Sequence, residues 1–265
     1  AWKPDLLTPV ASAEQLIAMR PLVESLIGTD GSVRWVGLGS DEDLPVVLAQ
    51  TIDAERVLGL HATWTRLRTE QFMEGVGLTL DALQSALFPP NLVVVDETRV
   101  SDAEIVHYLE HCRALSVGLA LWLPHPNGGL GRREVIDVWI SDRAPEWKLR
   151  LHLANLDLPV LIGFLLARAW GAKLRLWCGV RDPTQVDAGV AFLRDLVDQA
   201  RLPSSTTVHV TAGAFMDALA ASSSGDLNIF GMPPQITKAR LAEIQTASAG
   251  SCLWLLDSGR ESVLA

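Results

Sequence analysis

The sequence predicts an α/β protein of two lobes, each a mainly parallel sheet sandwiched between helices. Three observations carry this. Short β-branched and apolar runs alternate with helix-period segments along almost the whole chain, which is the pattern of βαβ units. The alternation breaks once, between Pro124 and Arg133, where two prolines, three glycines and two arginines fall within ten residues. About five strand–helix units lie on each side of that break, although no residue-level repeat links the halves. The lobes are therefore expected at residues 1–128 and 129–265, with right-handed crossovers giving α/β/α layers.

In the first lobe, Asp5 to Ala11 reads as a strand, and Ser12 is a ready N-cap for a helix over Ala13 to Ile27. Leu16, Ile17, Met19, Leu22, Val23, Leu26 and Ile27 keep helical spacing there. Ser32 to Leu38 is the second strand, and Asp43 to Gln50 a short helix. Leu58 to Leu67 is an irregular strand. A helix opens at Thr69-Glu70 and runs to Leu87, stopped by Pro89-Pro90. Asn91 to Asp96 is a strongly apolar strand, Ser101 caps a helix over Asp102 to Ser116, and Leu119 to Leu123 closes the lobe.

The second lobe repeats the scheme. Val135 to Ile140 is a strand. Trp147 to Trp170 forms one long helix, or two joined near Pro159. Lys173 to Val180 is a strand, and Pro183 starts a helix reaching about Ala200. Thr206 to Thr211, Asp226 to Gly231 and Cys252 to Leu256 are strands. Phe215 to Ala221 and Thr237 to Ala249 are the helices between them.

Composition narrows the function. With 49% apolar and 20% charged residues the chain can bury a full core. Its net charge of −9 argues against nucleic acid and against tight docking on anionic lipid. Cys112, Cys178 and Cys252 are odd in number and far apart, so neither a disulfide framework nor a zinc site is expected. The longest apolar stretch, Leu156 to Gly171, is broken by Asp157, Pro159 and Arg168. It falls short of the roughly 20 residues a membrane span needs. The chain opens at Ala1 without a signal peptide, so it is expected to be a piece of a longer polypeptide.

No catalytic constellation emerges, and the chain reads as a non-enzyme. Gly37-Leu38-Gly39 follows the second strand, where a phosphate could approach. However, Asp41, Glu42 and Asp43 come at once and would repel it, and the third glycine of a dinucleotide fingerprint is missing. Ser222-Ser223-Ser224-Gly225 reads as a loop rather than a nucleophile turn. His107 and His111 stand at i, i+4 without the intervening glutamate of a zinc-peptidase helix. Asp137, within an apolar strand, and Asp142, just beyond it, read as structural. Their gathering with His209 would be the mark of a diverged enzyme. Of nine tryptophans, Trp35, Trp122, Trp139, Trp177 and Trp254 fall in strands and read as core. Trp2, Trp147 and Trp170 stand at element ends and are the candidates for an interface.

Several segments, in this order, resemble the C-terminal cytoplasmic domain of the cation–chloride cotransporters, within the amino acid–polyamine–organocation transporter superfamily. Trp2-Lys3-Pro4-Asp5-Leu6-Leu7 is similar to the family's W-x-P-x-x-L opening. Pro90-Asn91-Leu92-Val93 is similar to its P-N-x-V segment, and Ile136-Asp137-Val138-Trp139 to its I-D-V-W strand. Trp170-Gly171-Ala172-Lys173-Leu174-Arg175-Leu176 is similar to its W-x-x-x-K-[IL]-R-[LV] run, with two residues in place of three between Trp170 and Lys173. Arg201-Leu202 stands where the family has R-I, and Asp226-Leu227-Asn228-Ile229-Phe230-Gly231-Met232-Pro233 is similar to its D-L-x-x-x-G-x-P turn.

The resemblance implies Rossmann-like, universal-stress-protein-like lobes and a homodimer. It also implies an upstream transmembrane domain on the same polypeptide, a place at the cytoplasmic face of the membrane, and a regulatory role in a cotransporter or related amino-acid permease. The chain departs from the family at Ile140-Ser141-Asp142-Arg143, where a second tryptophan and D-D-G-G are common. The absence of long phosphorylated insertions points to a prokaryotic member. No cofactor is expected. ATP, which some members bind, is disfavoured because the G-x-x-G-x9-G-[ST] pattern of nucleotide-binding universal stress proteins is missing. The competing reading is a free-standing nucleotide-binding protein of that type.

Overall fold

The computed structural model describes residues 2–28, 30–69, 71–149, 156–222, 225–233 and 235–264. Ser223 and Ser224 of the serine loop, Glu70 and His152 lie outside them. The chain divides into two compact units between Trp122 and Leu123.

The first unit runs β1 (Asp5–Val10), α1 (Ala13–Ile27), β2 (Ser32–Leu38), α2 (Leu44–Val57), β3 (His61–Leu67), α3 (Phe72–Leu83), β4 (Leu92–Asp96), α4 (Asp102–Leu115) and β5 (Gly118–Leu123). Its strands lie in the order β3-β2-β1-β4-β5, all parallel. The second unit runs β6 (Val135–Ile140), α5 (Asp157–Trp170), β7 (Lys173–Val180), α6 (Val186–Gln199), β8 (Thr207–Ala212), α7 (Phe215–Ala221), β9 (Leu227–Gly231), α8 (Lys238–Ser248) and β10 (Ser251–Leu256). Its order is β8-β7-β6-β9-β10, again parallel. Each unit thus arranges its own strands as third, second, first, fourth, fifth. The duplication is one of topology.

β4, inside the first unit's order, is buried at every position, as expected where helices cover both faces of a parallel sheet. α5 comes so close to its sheet that a Cβ on Gly163 would lie 2.6 Å from the Val138 side chain. Gly37 is needed for the same reason: a Cβ there would meet Leu48 and Leu44 of α2 at 2.9 and 3.2 Å. The first glycine of the G-x-G thus serves helix packing, and Gly39, at φ +102°, serves a turn.

Several element bounds differ from the sequence reading. α2 extends to Val57 because its buried stripe continues through Thr51, Ile52 and Glu55, two of them polar and invisible to a hydropathy pattern. β3 begins at His61, after a turn at Gly59 with φ +80°. α3 spans Phe72–Leu83 and has already ended before Leu87. α5 begins at Asp157, which puts Pro159 in its first turn, where no N–H is needed. Trp147 lies outside any helix.

Candidate functional site

In sheets of this order, ligands bind at the carboxyl ends of the strands, beside the point where the strand order reverses. That point lies between β1 and β4 in one unit and between β6 and β9 in the other. In both units the chain's own oxygens accept N–H groups there.

In the first unit the Ser12 Oγ accepts the Gln15 N–H (3.2 Å), and the Asp41 carboxylate accepts those of Ala13 (2.9 Å) and Asp43 (3.0 Å). These N–H groups, Ala13 first, hold the Asp41 carboxyl below its usual range. Beyond β4, Asp96 Oδ1 accepts from the Thr98 N–H and hydroxyl, both at 2.9 Å. α4 is closed by a capping box between Ser101 and Glu104.

The second unit caps α5 from a distant part of the chain. Asp257, just past β10, accepts the Asp157 N–H at 3.1 Å. Asp157 in turn accepts the Val263 N–H at 2.8 Å. The terminal segment is thereby folded back on the helix, with Glu261 buried beneath it and accepting from Ser258. Burial, then the neighbouring Glu261 and Asp157 carboxylates, pushes the Asp257 carboxyl up to about 7. Asp142 accepts from Ala144 (2.9 Å) and from Arg181 (3.1 Å), tying the ends of β6 and β7.

Residues of three of the segments that carried the family resemblance meet elsewhere, in two adjacent register rows of the second unit's strands. One row is Cys252, Asn228, Asp137, Arg175 and Thr207. Two residues further along come Trp254, Phe230, Trp139, Trp177 and His209. The second row is a continuous aromatic stack. Centroid separations are 4.5 Å for Trp254–Phe230, 6.2 Å for Phe230–Trp139, 5.4 Å for Trp139–Trp177 and 4.3 Å for Trp177–His209, all near-parallel.

The indoles donate into the polar row: Trp139 to Asn228 Oδ1 at 3.0 Å and Trp177 to Asp137 Oδ1 at 2.9 Å. Asp137, fully buried, is held in a fork by Arg175 at 2.5 and 2.6 Å. Burial raises its carboxyl, against the pull of Arg175 and Trp177. Gly225 must be glycine, since a Cβ would lie 2.5 Å from Asp137 Oδ2. Asp226, the first residue of the last motif, accepts the N–H groups of Arg132 (3.0 Å), Glu134 (2.8 Å) and Val135 (3.0 Å), which fixes the entry into β6.

This network ties neighbouring strands together. Asp137 lies inside β6 and Asp142 two residues past its end, and each is taken up by its own partners. His209 bonds Thr207 at 3.0 Å, not Asp137, and burial and Arg175 hold its imidazole below the usual value. His111 pairs with Asp81 at 3.0 Å and stacks on His107. Among the described residues no group of three metal-ligating side chains forms, and no helix is long and apolar enough to cross a membrane.

The five strand tryptophans assigned to the core are buried. Trp2, Trp147 and Trp170 are half-buried. Trp147 donates to Gln185 at 2.8 Å and packs on Phe192, and Trp170 lies under the Arg133 guanidinium. Sequence reasoning missed Glu55, a fully buried carboxylate facing the Trp35 indole at 3.2 and 3.3 Å, and the Asp257 cap.

Two family models match the chain in tandem. Residues 8–130 match the first part, and residues 131–264 the second part, of the prokaryotic cation–chloride cotransporter C-terminal domain. The chain belongs to this cotransporter family. A crystal structure of the cytoplasmic domain of a prokaryotic cation chloride cotransporter is similar over 99% of both chains, with TM-score 0.87 and 28% identity. A universal stress protein from Archaeoglobus fulgidus covers 97% of each chain at TM-score 0.55 and 10% identity, a likeness of fold alone. None of the curated proteins matches by sequence. The cotransporter motifs are thus identified structurally: the I-D-V-W, K-L-R-L and D-L-N-I-F segments are the rows of one buried network.

Proposed function

We propose that this chain is the non-catalytic cytoplasmic regulatory and dimerisation domain of a cation–chloride cotransporter or related amino-acid permease. On this reading it is joined to a transmembrane part upstream and takes no cofactor. The observation that carries this is the tandem family match over two topologically identical units whose ligand-binding ends are closed by the chain itself. Trp2, Trp147 and Trp170 contribute to contacts between copies. In sedimentation the chain is expected at twice its 28.7 kDa mass. A monomer would remove dimerisation, and an unchanged mass in Trp2→Ala and Trp147→Ala would remove those contacts. Ion flux unaffected by deleting the domain from the full transporter would remove the regulatory role.

The universal stress protein likeness raises nucleotide binding as a second reading. A phosphate at α1 or α5 would have to displace Asp41 or Asp257 from the helix N–H groups, so a side-chain oxygen already fills the anion position. Calorimetry with ATP and ADP is expected to show no saturable heat, and micromolar binding would reverse this conclusion.

A further inference from the structure

Three carboxylates meet where the end of the chain folds back on α5. Asp157 and Glu261 are each 2% exposed, and Asp257 is half-buried. Asp257 Oδ2 accepts the Asp157 N–H, Asp157 accepts the Val263 N–H, and Glu261 accepts the Ser258 N–H and hydroxyl at 3.0 and 2.9 Å. Residues 258–264 form no helix or strand. Side-chain oxygens and the burial of Val263, rather than a strand ladder, hold them down.

Asp257 Oδ1 is closed off from solvent, and among the described residues it accepts no hydrogen bond. The charges around this carboxyl come from three elements. Glu261 lies on its own segment and Asp157 on α5. Arg143, in the connection beyond β6, is drawn first to Asp157 and then to Asp257. Cys178 of β7 also faces Arg143, but burial pushes its thiol up to about 12 and keeps it neutral, and Asp142 faces that thiol. The guanidinium therefore faces two carboxylates, and Asp257 is left with one oxygen unserved. Burial first, then Glu261 and Asp157, raises the Asp257 carboxyl from 3.8 to about 7. A proton on Oδ1 cancels the repulsion and leaves the Asp157 N–H bond to Oδ2 intact.

We infer that residues 258–264 are a pH-sensitive latch on the first turn of α5, fastened while Asp257 is protonated and loosened when it ionises. When the segment lifts, Glu261 leaves with it and water reaches Asp257, so the carboxyl returns toward its ordinary value. The released state thus gives up its proton first. The hold is full below about pH 4, weakens as pH rises, and levels off above about pH 7. From about pH 6 to about pH 8 the equilibrium between held and released segment shifts about tenfold toward release. Release uncovers the first turn of α5, the helix that follows β6, and β6 borders the crevice where sheets of this order take ligands.

Hydrogen exchange of the Val263 amide tests the latch, since Asp157 accepts that N–H only while the segment is held. Protection factors, normalised for the intrinsic pH dependence of exchange, are compared at about pH 6 and about pH 8. In the wild type the Val263 protection is expected to fall about tenfold across this interval, and to stay well below that of Leu253 in β10. Asp257→Asn keeps an acceptor for the Asp157 N–H and has no proton to lose, so its Val263 protection is expected not to vary. Glu261→Gln, which leaves Asp257 in place, is expected to move the fall to lower pH. A wild-type Val263 protection equal at both pH values would overturn the latch, as would an equal fall in Asp257→Asn. If Asp257→Asn does not fold, an unmoved fall in Glu261→Gln overturns it instead. Equal protection of Val263 and Leu253 throughout would also overturn it, because the segment would then open only with the whole unit.

Discussion

Arg175→Leu is expected to destabilise the protein by about 3–5 kcal/mol, the cost of leaving a buried charge without its counter-ion. Asp137 has no solvent exposure and depends on the Arg175 fork and the Trp177 indole for its charge. Removing the guanidinium leaves one neutral donor for a carboxylate that burial already strains toward protonation. The double variant Asp137→Leu/Arg175→Leu should recover a large part of the loss, because exchanging both partners removes the desolvation cost along with the attraction. Urea denaturation of the two single variants and the double measures the coupling. A loss under about 1 kcal/mol for Arg175→Leu would mean that the pair is screened and does not hold the sheet.

Glu55→Gln is expected to stabilise the protein at high pH and to change little at low pH. Burial, the first cause, pushes the Glu55 carboxyl from 4.5 up to about 7, with Glu24 on α1 adding to the rise and the Trp35 indole and Arg20 opposing it. A folded-state value above the unfolded one means that the unfolded chain gives up its proton first. Wild-type stability therefore falls as pH rises between about 4.5 and 7, and the full cost, about 3 kcal/mol, is present above that window. Glutamine keeps an acceptor for Trp35 and carries no charge to desolvate, so the gain should appear through this window and level off near pH 8. Asp257 titrates in the same range, so the difference between variant and wild type at each pH is the quantity to measure. A gain that does not vary with pH would show that Glu55 is protonated throughout or solvated.

The alternation of the sequence was enough to place nearly every strand and helix, because parallel strands buried on both faces are uninterrupted apolar runs. It failed where a buried position is polar. Thr51 and Glu55 continue the inner stripe of α2, yet they look like solvent-facing residues in sequence. Asp137 stood out as a carboxylate in an apolar strand, but its partner lies 38 residues away and is set by the register of β6 on β7. The α5 cap was harder still, since Asp257 comes from 100 residues downstream and leaves no local signature. Local caps such as Ser12 and Ser101 could be read, because their acceptor and donor lie within one turn.

Because the order β3-β2-β1-β4-β5 uses only strands of the first stretch of chain, no place between these five strands waits for a residue translated later. The ribosome delivers about 5–20 residues per second, so the first unit has several seconds to collapse and register its strands while the second is still being made. Two nearly matched arrays of apolar strands are thereby kept from competing for each other's pairings, a hazard that duplicated parallel folds otherwise carry during synthesis.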